Sequence, residues 1–188
     1  MQIDRPIIAI DPGSTSVGWC VMYENGQVLS GFIKPMARSS VGVRLAYIRK
    51  EIRQALDERV PGHMAPLIVI ESGISNRQAF TSGAVVDYSR GVIMEALACL
   101  FGGFETVRFI APMSWKSKKF LEPYRVRLDK GEKPTIKQLK STGLNICQEH
   151  IFCQDQIDAG FMAVYARDNF VRLMEETGKR TVKRKVKK

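Results

Sequence analysis

The sequence predicts an α/β sandwich built on a mixed sheet, and three observations carry that reading. Three short apolar runs, the last two joined by a turn signal, open the chain as antiparallel strands. A helix–strand–helix–strand alternation follows, which calls for parallel strands linked by crossovers. Helical segments then close the chain.

The first run is Pro6-Ile7-Ile8-Ala9-Ile10-Asp11, apolar until its terminal acid and followed by Pro12-Gly13. It reads as a buried strand entering a turn. Residues 17–23 and 27–34 are two further strands, with Asn25-Gly26 between them as a type I′ hairpin signal. Ser39 or Ser40 caps a helix running to about residue 59, whose Val41, Leu45, Ile48, Ile52 and Leu56 follow the spacing of one buried face. Pro61-Gly62 stops it. Residues 67–70 form a fourth strand, again ending in an acid, Glu71. A polar loop leads to a helix over 81–100, and residues 106–110 form a fifth strand. The pattern from 112 to 134 is broken and basic. Helices are expected over 135–150, weakened at Gly143, and over 154–176, the latter with Ile157, Phe161, Val164, Tyr165 and Val171 on its apolar side and Thr177-Gly178 as its end.

The chain of 188 residues, 45% hydrophobic, is the size of one domain with a full core. Residues 1–178 are read as that domain and 179–188 as a basic tail without fixed structure. No apolar run approaches the ~18 residues of a membrane span, and the first residues do not resemble a secretory signal. The expected location is the cytoplasm, at a nucleoid or in an infected host cell, with an organelle left open. Cys20 and Cys99 lie in apolar runs and read as core thiols. Cys147, His150 and Cys153 match no common zinc spacing and read as part of a helix with two part-buried thiols.

The net charge of +10 is unevenly placed. Residues 179–188 carry seven Lys or Arg and no acid, and residues 116–140 carry nine basic residues against three acidic ones. The rest of the chain is mildly acidic. Such a distribution suits a polyanion contacted by selected elements.

Against that basic background stand four carboxylates. Asp11 and Glu71 close the two most apolar strands, and if those strands are adjacent and parallel, both acids emerge at the sheet end where open α/β sheets place ligands. Asp155 and Asp158, three apart at the start of the last helix, share one helix face. Taken singly, each acid has an ordinary explanation as a cap or a loop residue. Four converging carboxylates, however, repel and raise one another's pKa unless a cation neutralises them. Hard oxygen ligands suit magnesium or manganese, and two such ions serve phosphodiester hydrolysis.

At this point the residues resemble a known family. Ile8-Ala9-Ile10-Asp11-Pro12-Gly13-Ser14, with Gly18 beyond, is similar to the first strand and turn of the RuvC-type Holliday junction resolvases. Ile70-Glu71 with its polar loop resembles the second acidic element of that family. Gly83 through Tyr88-Ser89-Arg90-Gly91 to Ala96 resembles the helix after it, and Asp155-x-x-Asp158-Ala159 with Ala163 the closing acidic helix. The resemblance implies a ribonuclease H-like fold with a central mixed five-stranded sheet, three antiparallel strands then two parallel, flanked by helices. It implies Asp11, Glu71, Asp155 and Asp158 as catalytic metal ligands for two Mg2+ ions, with Mn2+ as a substitute. It further implies a homodimer making paired nicks in a four-way junction. The 112–134 stretch is longer than in the bacterial housekeeping enzymes and closer to the phage and organellar branches. Lys116, Lys118 and Lys119, assisted by Arg77, are the expected contacts to the scissile strand, with Trp115 anchoring the loop before Lys116. The helix over 81–100 is the expected dimer surface.

Three other readings stay open at this stage: a related nuclease acting on flaps or forks, a DNA-binding protein without catalysis, and an actin-like or sugar-kinase-type ATP-binding domain. The last would need a second domain to enclose its nucleotide, and Pro12 removes an N–H donor where a phosphate loop would want one.

Overall fold

The computed structural model describes residues 4–61, 64–73, 80–103, 105–129, 131–146 and 153–179, with side chains left out of the description at 80–83 and 176–179. Six strands form one sheet in the order β5-β4-β1-β2-β3-β6. They are β1 (Ile7–Asp11), β2 (Val17–Met22), β3 (Gln27–Ile33), β4 (Leu67–Glu71), β5 (Val107–Ile110) and β6 (Asn145–Ile146). The first three pair antiparallel, β4 lies parallel to β1, and β5 parallel to β4. This is the expected mixed sheet with one strand more than expected.

The extra strand falls inside the helix predicted over 135–150. Only α5 (Ile136–Lys140) forms there, opened by a Thr135/Gln138 capping box. Gly143 then adopts φ +79°, a left-handed conformation that glycine enters without a Cβ penalty. Beyond it β6 pairs in parallel with the free edge of β3, Gln27 with Asn145 and Val28 with Ile146. The hairpin between β2 and β3 also differs in detail. Gly26 donates to Tyr23 O and Tyr23 donates to Gln27 O, both at 2.9 Å, while Gly26 alone of the loop residues has positive φ, +78°. That is a type I turn followed by a glycine bulge rather than the expected type I′ turn. The Asn25 side chain accepts from Gln27 N at 2.9 Å.

Strand residues alternate between two cores. Ile8, Ile10, Val17, Trp19, Val21, Ile68 and Ile70 face α1 (Val41–Asp57) and α2 (Phe80–Phe101). Ser40 caps α1 by accepting from Val43 N, and Ile48, Ile52 and Leu56 are its fully buried residues. Ile93, Ala96 and Leu97 bury the corresponding stripe of α2. Cys20 is a core thiol as expected, but Cys99 is exposed, its thiol donating to Glu95 on the outer side of α2.

Ile7, Ala9, Cys20, Met22, Leu67 and Val69 face the opposite side, where α6 (Gln154–Asp168) lies. The predicted single helix over 154–176 is two. Asn169 closes α6 by donating its side-chain amide to Tyr165 O at 2.9 Å, and its own carbonyl receives Leu173 N at the start of α7 (Phe170–Lys179). Helix α7 continues past Thr177-Gly178, since one glycine costs a helix only about 1 kcal/mol. The expected apolar stripe is also wider than predicted: every residue from Gln156 to Ala166 is buried, while Val171 on α7 is exposed. The reason is that α6 is covered on its outer side by the short elements α3 (Pro112–Trp115), α4 (Lys118–Leu121) and α5, which contribute Trp115, Leu121 and Leu139 to the same core. Among the described residues no helix is long and apolar enough to cross a membrane.

Candidate metal centre

The site is a consequence of register and pleat. Ile10 pairs with Ile70 across the parallel β1–β4 ladder, so Asp11 and Glu71 occupy the next positions on neighbouring strands. Ile7 and Ala9 face α6, as do Leu67 and Val69. Period-two alternation therefore sends both acids to that same face.

The N-terminal turn of α6 arrives at this point. Gly18, paired with Asp11 across the β1–β2 ladder, is what admits it: a Cβ at Gly18 would sit 2.0 Å from the carbonyl oxygen of Asp155. Any side chain there would push the helix start away from the strand ends. Asp155 and Asp158 are thereby carried to Asp11 and Glu71.

The electrostatics report the convergence. Burial, then the charges of Glu71, Asp158 and Asp155, push the Asp11 carboxyl up to about 8, with Lys116 opposing. Glu71 is raised by burial and by Asp158, against the pull of Lys116 and a hydrogen bond from Trp115. Asp158 is raised by burial and Asp155, against a hydrogen bond from Gln154 and the charge of Lys116. Such mutual shifts mark carboxylates gathered in a poorly solvated place with too little positive charge.

What polar support exists comes from the short helices over α6. Trp115 is fully buried and stacks on Phe161, ring centroids 6.5 Å apart. Its indole N–H donates to Glu71 Oε2 at 3.2 Å. The aromatic anchor expected before Lys116 thus also orients the Glu71 carboxylate. Lys116 Nζ lies 4.3 Å from the centroid of the Trp115 ring and 3.5 Å from Asp158 Oδ2. Gln154 holds the other Asp158 oxygen with an amide donor at 2.6 Å, and the same amide reaches Pro134 O at 3.1 Å. Gln154 lies on the helix face of Asp158, four residues earlier; its role depends on Pro134, far from it in sequence.

Two further residues escaped the sequence reading. Ser89, fully buried in α2, donates to Gly13 O at 2.8 Å, and Arg90 donates its Nε to Glu71 O at 2.9 Å. In the sequence they stand out only as part of the Tyr88-Ser89-Arg90-Gly91 helix motif.

Of the expected DNA contacts, Lys118 and Lys119 are exposed at the start of α4, where Ser117 caps the helix by accepting from Phe120 N. Lys116 points inward to the acids instead. Arg77, Cys147 and His150 lie outside the described residues, as does the tail from 180 onward; Cys153 is half-buried immediately before α6.

The donor set fits a hard divalent cation: four carboxylates, with no thiol or imidazole among them. As they stand, no three acids among the described residues already enclose an ion. The residues that would hold such an ion are Asp11 and Glu71 from the strands and Asp155 and Asp158 from α6.

No protein-family model matches the chain, and no curated protein matches it in sequence. Solved structures do. Thermus thermophilus RuvC in complex with a Holliday junction substrate superposes with a TM-score of 0.65 at 18% identity, over 90% of this chain and 97% of that one. Another Thermus thermophilus RuvC structure gives 0.62 at 19% identity, over 89% and 96%. The yeast mitochondrial Holliday junction resolvase Ydc2 gives 0.50 at 12% identity, over 92% and 84%. The mixed sheet and its flanking helices are the fold of the RuvC-type resolvases.

Proposed function

We propose that this protein is a magnesium-dependent endonuclease that resolves four-way DNA junctions, its dimer making paired nicks. The observation that carries the reading is the gathering of Asp11, Glu71, Asp155 and Asp158 at one end of the sheet, with Asp11 pushed up to about 8 by its burial and by the three neighbouring acids. The fold shared with a RuvC bound to a junction supplies the substrate class.

Two magnesium ions held there would supply Lewis acidity toward the phosphodiester and charge for its attacking and departing oxygens. The chain's own residues prepare the place. Burial keeps the carboxylates poorly solvated, which strengthens their attraction for cations. Trp115 donates to the Glu71 carboxylate and Gln154 to that of Asp158, which limits how far either can turn. Lys116 neutralises part of the acid charge and is placed to meet a phosphate oxygen entering beside Asp158. Lys118 and Lys119 would hold phosphates of the same strand farther out, and Arg77 would assist from the loop after Glu71.

Paired nicks require two sites related by the two-fold symmetry of the junction. Helix α2 is the proposed contact. Helices α6 and α7 lie on the other face of the sheet and leave its outer side uncovered, where Tyr88 is 60% exposed. Sedimentation at micromolar concentration should give a mass near twice 21.2 kDa, and Tyr88→Glu should shift it toward monomer. A wild-type monomer, both free and on junction DNA, would end the dimer reading.

The direct test of function sets a synthetic four-way junction beside linear duplex and a flap, each in Mg2+ and in EDTA. Symmetric nicks on the junction alone, only with Mg2+, are expected. Equal cleavage of duplex or flap, or cleavage in EDTA, would refute the proposal.

A further inference from the structure

We infer that Ser89 and Arg90 are positioning residues that together fix the spacing of the two strand-borne carboxylates, Asp11 and Glu71; the functional meaning of that spacing rests on the proposed metal-dependent chemistry. The two are consecutive on α2, and each donates to the backbone beside a different acid. Ser89 Oγ reaches Gly13 O at 2.8 Å, two residues past Asp11. Arg90 Nε reaches the carbonyl of Glu71 itself at 2.9 Å.

Successive helical residues point about 100° apart, so one turn of helix can serve two neighbouring loops at once. That turn is itself held firmly. Ile93, Ala96 and Leu97, immediately after it, are fully buried against the sheet and α1. Arg90 is further fixed by an ion pair from Nη1 to Asp87 Oδ1 at 2.5 Å, and its side chain is only 13% exposed.

The receiving loops are shaped for these contacts. A Cβ at Gly73 would lie 2.7 Å from Arg90 Nη1, so the glycine makes room for the guanidinium against the chain leaving β4. A Cβ at Gly13 would lie 2.2 Å from Ser16 O, which shows how tightly the turn after Asp11 is wound where Ser89 grips it. Ser89 is 0% exposed and a buried hydroxyl needs its partner, so the contact resists exchange for water. Both hold backbone carbonyls, Ser89 that of Gly13 just past Asp11 and Arg90 that of Glu71.

The test uses the full chain and the variants Ser89→Ala and Arg90→Lys, the second keeping the charge but not the fork that serves Glu71 and Asp87 together. Amide hydrogen exchange on the metal-free proteins should be at least about tenfold faster over residues 12–16 in the first and 71–73 in the second, with residues 93–97 unchanged. Calorimetric titration with Mn2+ should then give about tenfold weaker binding for each, with kcat on a four-way junction lowered and KM held. Unaltered exchange in those two segments would overturn the inference, as would faster exchange with undiminished Mn2+ affinity. Should the wild type bind no Mn2+, the metal reading fails, and the exchange data alone decide whether the clamp exists.

Discussion

The acidic end of the sheet and the basic stretch of residues 116–140 are built on opposite physical terms. The acids sit where strands and a helix force them together, and burial and neighbouring acids raise the proton affinity of Asp11, Glu71 and Asp158. Most of the bases are exposed: Lys118 and Lys119 on α4, Lys137 and Lys140 on α5, and Arg125, Arg127 and Lys133 between those helices. Gathering buried like charges costs stability and is sustained only by a surrounding scaffold. Exposed cations cost almost nothing and meet any phosphate that arrives. Chemistry should therefore depend steeply on individual acids, and binding shallowly on the sum of the bases. Lys116 is the exception that joins the regions, a member of the basic stretch turned inward to Asp158.

The largest effect that could break this contrast is that of Asp11→Asn. It should lower junction cleavage by about three orders of magnitude or more, roughly 4 kcal/mol of transition-state stabilisation, while leaving junction affinity within about twofold. Parallel loss of binding, measured by gel shift in EDTA, would mean that Asp11 serves the fold rather than the chemistry.

A smaller, graded effect is expected across the divide. Replacing Lys116, Lys118 and Lys119 by Ala should weaken junction binding and flatten its salt dependence by up to about three released counterions. An unchanged slope of affinity against salt concentration would remove these lysines from the interface. Cleavage should suffer more from Lys116→Ala than from Lys118→Ala, because only the former lies among the carboxylates.

The smallest effect belongs to the tail. Removing residues 180–188 should reduce affinity for junction and linear duplex by similar factors, since a polybasic segment neutralises phosphate without regard to branching. Loss confined to the junction would instead give the tail a part in reading its geometry.

The same contrast explains what was legible in the sequence. Asp11 and Glu71 stood out because each terminates a run of apolar residues, and Asp155 and Asp158 because three-residue spacing puts both on one helix face. These signals are local, and so is the hydrophobic stripe of α1. The unexpected features depend on distant partners. Strand β6 exists because β3 offers a free edge, which nothing in residues 145–146 announces. The grip of Ser89 on Gly13 joins residues 76 apart in the chain, and the bond from Trp115 to Glu71 spans 44. The break at Asn169 goes with one side chain turning back to Tyr165 O, an alternative open to any asparagine. Helix α6 shows no clear stripe because it is buried on both sides, and periodicity then carries no sidedness.

The measurement closest to the central claim is a calorimetric Mn2+ titration of the full chain at several pH values between 6 and 8.5. Asp11 rises from an ordinary value of 3.8 to about 8 in the metal-free protein. Below pH 8 a cation must therefore displace its proton, and raising the pH toward 8 should favour binding. Affinity should weaken about tenfold per pH unit on going down from 8, level off above it, and be lost in Glu71→Gln and Asp158→Asn. Binding that is independent of pH and survives both substitutions would place the cation elsewhere and contradict the account.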